Sequence, residues 1–387
     1  MSMKNNALCR HYLDWASTGI PEEIRVGEGI FGNPSSPHTE GRLAKGALEN
    51  ARSRCAKVLG VKSDRLCFTS GGTESNALVL YSQLLKKSKG RLICSEIEHP
   101  SVMENFRRLK RLGLPVSEIE VEKHGQVTEM TLSGAFEKHP DIRFVTVMGV
   151  NNETGSLMDT KALVSLVRAN QTKTGVPVHF HSDLVQALGK VPLDISSWDL
   201  DSASFSAHKL GGPRGIGLLY IRKPFEPLYA GGEQEGRLRP GTENVNGALA
   251  FADILERRAN SETVIEEYDK ARLRFKYLIG ELKKISRCAL IPEDRGEDDE
   301  RFSPWILQLR FRSLPAMVMV RALDDLGIAV STGSACSSRA PERPVLAAMG
   351  VDKTSRLEGI RISQGWSTDM ADLDALLTGM EKALSCI

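Results

Sequence analysis

Between about residue 40 and residue 225, short apolar runs alternate with helix-like segments, and this alternation leaves few architectures open. The runs fall at 65–70, 91–95, 144–150, 176–181, 202–206 and 215–221. Ahead of them Leu43, Ala47, Leu48, Ala51, Cys55, Val58 and Leu59 recur at helical spacing, with Gly60 as the stop. Such a rhythm predicts an α/β domain, with a mostly parallel sheet covered on both faces and ligand-bearing loops at the strand ends. Beyond residue 243 the rhythm changes. A long helical stretch to about 286 precedes an acidic loop at 293–300. A strand (305–311), a helix (315–326), a short strand (328–331), a small-residue loop (332–340), a further strand (356–363) and a last helix (370–384) follow. These read as a smaller α+β domain. The expected boundaries are 15–255 for the large domain and 1–14 with 256–387 for the small one.

The chain has 387 residues and a formal charge of +2, with 41% apolar and 26% charged residues, as expected of a globular protein. Its densest basic run, Arg107 to Arg111, sits in a helical pattern and reads as a solvated helix face, so no nucleic-acid partner is expected. No apolar run approaches the ~20 residues of a membrane span, and no signal core follows the N-terminus, so a cytoplasmic protein is expected. The seven cysteines are odd in number and lack C-x-x-C spacing, which disfavours a disulfide framework or a zinc knuckle.

Three segments carry chemistry. Ser206-Ala207-His208-Lys209 ends a strand run, a setting where a lysine can hold an aldehyde cofactor as a Schiff base. The glycines that follow lead into a strand rather than a helix, which rules against a dinucleotide or P-loop motif. Thr69 to Asn76 lies between a strand run and an apolar-periodic helix. Its free amides and the Thr73 hydroxyl make a phosphate cradle, although Ser70 or Thr73 could simply cap the helix. Asp183 ends another strand, where a carboxylate can hold a protonated pyridine nitrogen. His179 and His181 share a strand face, but no third metal ligand is evident and no metal is expected.

Together these segments resemble the cysteine desulfurases of nitrogen-fixation and iron–sulfur-assembly type, which are pyridoxal-phosphate (PLP) enzymes of the class-V aminotransferase family. The resemblance spans nearly the whole chain. It runs through Tyr12-Leu13-Asp14, Phe31 to His38, Ser70 to Asn76, Glu98-His99 and Val150 to Gly155, then Asp183 to Gln186 and Ser204 to Gly217. It continues through Arg239 to Asn244 and Ser331 to Ser338 to Ile360-Arg361-Ile362-Ser363. It implies an aspartate-aminotransferase-type fold (PLP fold type I) with a mixed, mostly parallel sheet, and a homodimer with shared sites.

By the same resemblance Lys209 binds the cofactor aldehyde, and Gly72, Thr73, Ser206 and His208 hold the phosphate, with Thr242 reaching it from the partner subunit. Asp183 pairs with the pyridine nitrogen and Gln186 with the ring oxygen. His99 stacks on the ring and moves protons. Asn152 and Arg361 fix the substrate carboxylate. The implied catalytic set is Cys336, Lys209 and His99. Cys336, in a loop of small residues, takes sulfur from L-cysteine as a persulfide, leaving L-alanine, and passes it to an acceptor protein. Ala207 and Leu184 depart from the family's usual Gly and Ala, both as packing changes. The chain ends soon after its last helix, where housekeeping members carry a longer tail, so the acceptor stays open. Alternatives are a selenocysteine lyase or aminotransferase of the same fold, or a PLP-binding scaffold. The set of lysine, aspartate, histidine and cysteine favours an enzyme, and Cys336 favours desulfuration.

Overall fold

The computed structural model describes residues 10–24, 27–333 and 343–386. They divide into two compact units, one formed by 19–151 with 157–266, the other from 1–18, 152–156 and 267–387.

The larger unit is built on a seven-stranded sheet. Its strands are β1 (Leu66–Thr69), β2 (Arg91–Ser95), β3 (Val116–Ile119), β4 (Ile142–Thr146), β5 (His179–Asp183), β6 (Ser202–Ser206) and β7 (Gly217–Ile221). They lie in the order β1-β7-β6-β5-β4-β2-β3. Only β7 runs antiparallel to its neighbours, and the other pairs are parallel. The inner strands are buried almost throughout, which is why they appear in the sequence as continuous apolar or small-residue runs. β3 is absent from those expected runs. It is an edge strand, half-exposed and carrying Ser117 and Glu118, so it has no such signature.

The helix expected up to Leu59 is α1 (Thr39–Leu59). The Gly41 amide donates to His38 at its start, and Gly60 closes it in the left-handed region at φ 66°. A buried pair ties α1 to the sheet edge. Arg52 Nη1 and Nη2 reach the two oxygens of Glu235 at 2.7 and 2.8 Å, and Phe68 N–H donates to the same carboxylate at 2.7 Å. This bidentate geometry fixes Glu235 at a left-handed φ of 49°.

The stretch expected as one helix from 243 to 286 is two, α4 (Val245–Arg258) and a helix over Ser261–Leu282. Asn260 breaks the run. Its Oδ1 accepts the Thr263 amide and its Nδ2 donates to Glu256 O, ending one helix and starting the next. For labelling, α2 is Gly72–Ser82 and α3 is Pro100–Arg111. The basic run 107–111 lies on the last turns of α3, which buries Val102, Phe106 and Leu109 on its other face.

The smaller unit has a three-stranded antiparallel sheet of β8 (Cys288–Leu290), β9 (Ile306–Phe311) and β10 (Gly359–Ser363), with β9 central. Leu307, Leu309, Ile360 and Ile362 pack with Leu278, Leu323, Leu376 and Met380 of its helices. The start of the strand expected over 356–363 is instead the end of a short helix, Lys353–Glu358, capped by Asp352. Trp366 packs between Trp15 and Trp305, with centroids 5.9 and 5.4 Å away. Among the described residues no helix is long and apolar enough to cross a membrane.

Candidate active site

The chemistry-bearing residues of the larger unit gather at the ends of β1, β5 and β6. α2 opens on Gly71, at φ 156° and ψ 179°, without a side-chain cap. A Cβ on Gly72 would lie 2.6 Å from Val185 Cγ2, and one on Gly217 would lie 2.5 Å from Gly71 Cα. Only glycines permit this close approach, and the open first-turn amides of Gly72 and Thr73 are left beside Ser206. Eleven residues of helix stand behind those amides, giving a positive end suited to a phosphate. The expected glycine-and-threonine cradle therefore fits a phosphorylated cofactor.

Lys209 and His208 lie in the single turn Ala207–Leu210 that follows β6, closed by Gly211 at φ 87°. Burial, with the charges of Lys209, Arg214 and Lys190, pushes the His208 imidazole down to about 4, so it is a neutral donor. Asp183 is buried at the end of β5. Its Oδ1 accepts Val185 N–H at 3.0 Å and its Oδ2 accepts Asn76 Nδ2 at 2.8 Å. Gln186 Oε1 accepts from Lys190 Nζ at 3.0 Å, which makes its Nε2 the donor end. Lys190 is itself almost wholly buried. His99 caps α3, and its Nδ1 accepts from Ser101 N–H at 3.1 Å and lies 2.8 Å from Ser101 Oγ. Burial lowers its basicity, Asp183 opposes that, and Lys209 adds to it. His99 therefore senses both the carboxylate and the lysine.

Beside His99 lies Glu98, which belongs to the Glu98-His99 motif but to which the resemblance attaches no role. Glu98 is buried, with Oε1 accepting Ser95 Oγ–H at 2.6 Å and Met148 N–H at 2.7 Å, while Oε2 has no partner. Burial pushes its carboxyl up to about 8, which favours the neutral form over the charged one. Among the described residues the two strand histidines are not part of a group of three or more His, Cys, Asp or Glu side chains placed to hold a metal ion. Both contact Ser202 Oγ at 2.8 Å.

In the smaller unit lie Arg361 and Asn152, the two residues expected to fix a substrate carboxylate. Arg361 is buried on β10. Its Nη1 donates to the backbone oxygens of Asn152 and Gly333 at 2.8 and 3.0 Å. Its Nη2 donates to Asp14 Oδ1 and Ser17 Oγ, both at 2.7 Å, and Nε has no partner. Arg361 and Asn152 are thus together, as expected, but the guanidinium is already engaged. Asp14 shows 20% side-chain exposure against 2% for Arg361, so it is the more accessible half of the pair. Thr242 is exposed, after Arg239, whose Nε reaches Glu74 at 3.2 Å. Cys336 lies outside the described residues.

Comparison with known proteins accords with this arrangement. The family model for aminotransferase class-V matches residues 21–376. A cysteine desulfurase IscS of Dictyoglomus turgidum is 35% identical over 390 residues, covering 96% of this chain and 94% of its own. A solved NifS-like protein has a TM-score of 0.87 at 32% identity, covering 98% of this chain and 100% of its own. A structure of SspA in complex with cysteine has a TM-score of 0.72 at 26% identity, covering 91% of this chain and 98% of its own. The chain belongs to the class-V aminotransferase family, within its cysteine desulfurase branch. Its fold is the PLP type I fold expected from the sequence, and its family cofactor is PLP.

Proposed function

We propose that the protein is a cysteine desulfurase that converts L-cysteine to L-alanine and places the sulfur on Cys336. The observation that carries this reading is the gathering of Lys209, His99, Asp183 and the Gly71–Thr73 amides at neighbouring strand ends, in a chain related to desulfurases along nearly its whole length. Lys209 holds the cofactor, and Gly72, Thr73, Ser206 and His208 hold its phosphate. Asp183 faces the ring nitrogen, Gln186 donates to the ring oxygen, and Asn152 and His99 complete the contacts. Bound PLP supplies an electron sink for the α-carbon.

The chain's own residues do the rest. Lys209 and His99 move protons, His99 through Nε2 because Nδ1 is held by Ser101. The Cys336 thiolate attacks the substrate sulfur. A sulfur–sulfur bond forms, the Cβ–sulfur bond breaks, and its electron pair is protonated at Cβ to give alanine. The enzyme persulfide then passes sulfur to an acceptor protein, which we assign to iron–sulfur assembly. The described cysteines are free thiols, consistent with a reducing cytoplasm. The test is incubation with L-cysteine and a thiol reductant. Equal amounts of alanine and sulfide are expected, and pyruvate with ammonia instead of alanine would sink the reading.

Arg361 is proposed to receive the substrate carboxylate in exchange for Asp14. A planar guanidinium can satisfy Asn152 O, Gly333 O and a carboxylate together, while a lysine ammonium cannot. Arg361→Lys should raise KM for cysteine about ten- to a hundredfold, the value of a charged hydrogen-bonded pair, with cofactor content unchanged. An unchanged KM would place the carboxylate elsewhere.

The working form is proposed to be a homodimer in which Thr242 reaches the phosphate of the partner copy. Sedimentation should then give a dimer, and Thr242→Ala should loosen PLP about tenfold, the worth of one hydrogen bond to a charged group. A fully active monomer refutes the shared site.

A further inference from the structure

Behind the proposed cofactor contacts runs a chain of buried polar side chains. Asn76, in the second turn of α2, is fully buried. Its Nδ2 donates to Asp183 Oδ2 and to Ser101 Oγ, each at 2.8 Å. Its Oδ1 lies 2.9 Å from His181 Nε2. His181 Nδ1 and His179 Nε2 each lie 2.8 Å from Ser202 Oγ, and Ser204 Oγ is 3.4 Å from His181 Nε2.

With Asp183 ionised, one proton arrangement satisfies every partner. A carboxylate only accepts, so the Asn76 nitrogen faces it and Oδ1 faces His181. His181 Nε2 must then carry a proton, shared weakly with Ser204, and Nδ1 accepts from the Ser202 hydroxyl. The Ser202 oxygen in turn accepts from His179 Nε2. On the other branch, Ser101 N–H already donates to His99 Nδ1, so the Ser101 hydroxyl also donates there and its oxygen accepts from Asn76. Burial pushes both strand histidines down to about 3, so neither carries a charge that would reverse this order. Phe144 stacks on His179 at 5.3 Å and shields the outer end.

We propose that Asn76 is a positioning residue that couples Asp183 to His99 through its two amide hydrogens, with His181 and Ser202 fixing which way that amide points. This rests on the reading of Asp183 as partner of the cofactor's ring nitrogen. Donation to Asp183 stabilises its charged form and keeps the proton on the ring nitrogen. Donation to Ser101 turns that hydroxyl towards His99 Nδ1 and leaves Nε2 as the proton-carrying atom. Glu98 and His99 are the titratable groups that feel the Asp183 charge, and neither replaces the Asn76 donor.

The test uses holoenzyme reconstituted with PLP labelled with nitrogen-15 in the ring. In the native protein the nitrogen resonance should report a protonated ring. In Asn76→Leu, which keeps the branched heavy-atom skeleton but removes the amide hydrogens, the ratio of protonated to bare nitrogen should fall about tenfold, one pKa unit. The turnover number should fall with it while KM for cysteine holds. His181→Gln, whose amide can still donate to Asn76 Oδ1, should keep the native resonance. A folded Asn76→Leu protein with the native resonance overturns the coupling. A bare ring nitrogen in the native protein instead overturns the reading of Asp183. If Asn76→Leu does not fold, the imidazole nitrogens of His181 in the native protein decide. A protonated Nε2 and bare Nδ1 between about pH 5 and 8 are expected, where an ordinary histidine would titrate, and the opposite tautomer refutes the chain.

Discussion

Lys209→Ala is expected to lose the visible absorbance of bound PLP and to lower turnover about a thousandfold or more. A Schiff-base lysine serves twice, as the covalent anchor of the aldehyde and as a proton carrier beside the α-carbon, and removing it ends both roles. Its place favours this. It sits in a one-turn segment after β6, locked by Gly211, whose Cβ would lie 2.9 Å from Ile20 O. That backbone cannot drift, so neither can the root of the side chain. The rival is Lys190, the buried lysine whose Nζ donates to Gln186. Borohydride reduction followed by peptide mapping separates them, and a label on Lys190 would overturn the assignment. A second readout comes from electrostatics. The Lys209 charge lowers both His99 and His208, so its removal should raise the imidazole pKa of both in the cofactor-free protein. Unmoved histidine titrations would mean that the Lys209 ammonium is directed away from them.

What the sequence made legible follows from what each signal depends on. β2 and β6 were bounded residue for residue, because a buried parallel strand writes its whole length in apolar or small side chains. Gly60 was read as a stop because the left-handed turn it makes is a property of the residue itself. β3 was lost because an exposed edge imposes no such pattern, and the break at Asn260 because a single polar residue in a helical run has many roles. At the site, residues with distinctive chemistry were visible: a lysine after a strand, glycines at a helix start, an aspartate at a strand end. Asn76, Ser101 and Glu98 bond partners distant in sequence, 107 residues in the case of Asn76 and Asp183, 25 for Ser101 and Asn76, and 50 for Glu98 and Met148. Nothing local marks such a pairing. The sequence alone suggests only a metal-ligand role for His179 and His181, because Ser202, which both contact, lies on the next strand.

Cys336→Ser should bind PLP as the native protein does, yet lower the formation of alanine and sulfide about a thousandfold or more. The steps that bind cysteine and labilise its α-proton are the ones proposed for Lys209, His99 and Arg361, and none requires a thiol. The sulfur-accepting step does, because a hydroxyl is scarcely ionised at neutral pH and forms no persulfide. The other cysteines of the described chain offer little substitute. Burial raises the thiols of Cys67 and Cys94 and pushes those of Cys55 and Cys288 up to about 12, so at neutral pH almost none is thiolate. Cys386 is exposed near the end of the last helix, and Cys386→Ser is the control that should leave turnover intact. The two halves of the prediction are read separately. Cysteine added to Cys336→Ser should still change the cofactor absorbance within one turnover, while alanine fails to accumulate. If alanine forms at near the native rate without Cys336, sulfur transfer to an enzyme thiol is not the route, and a β-elimination or transamination on this fold takes its place.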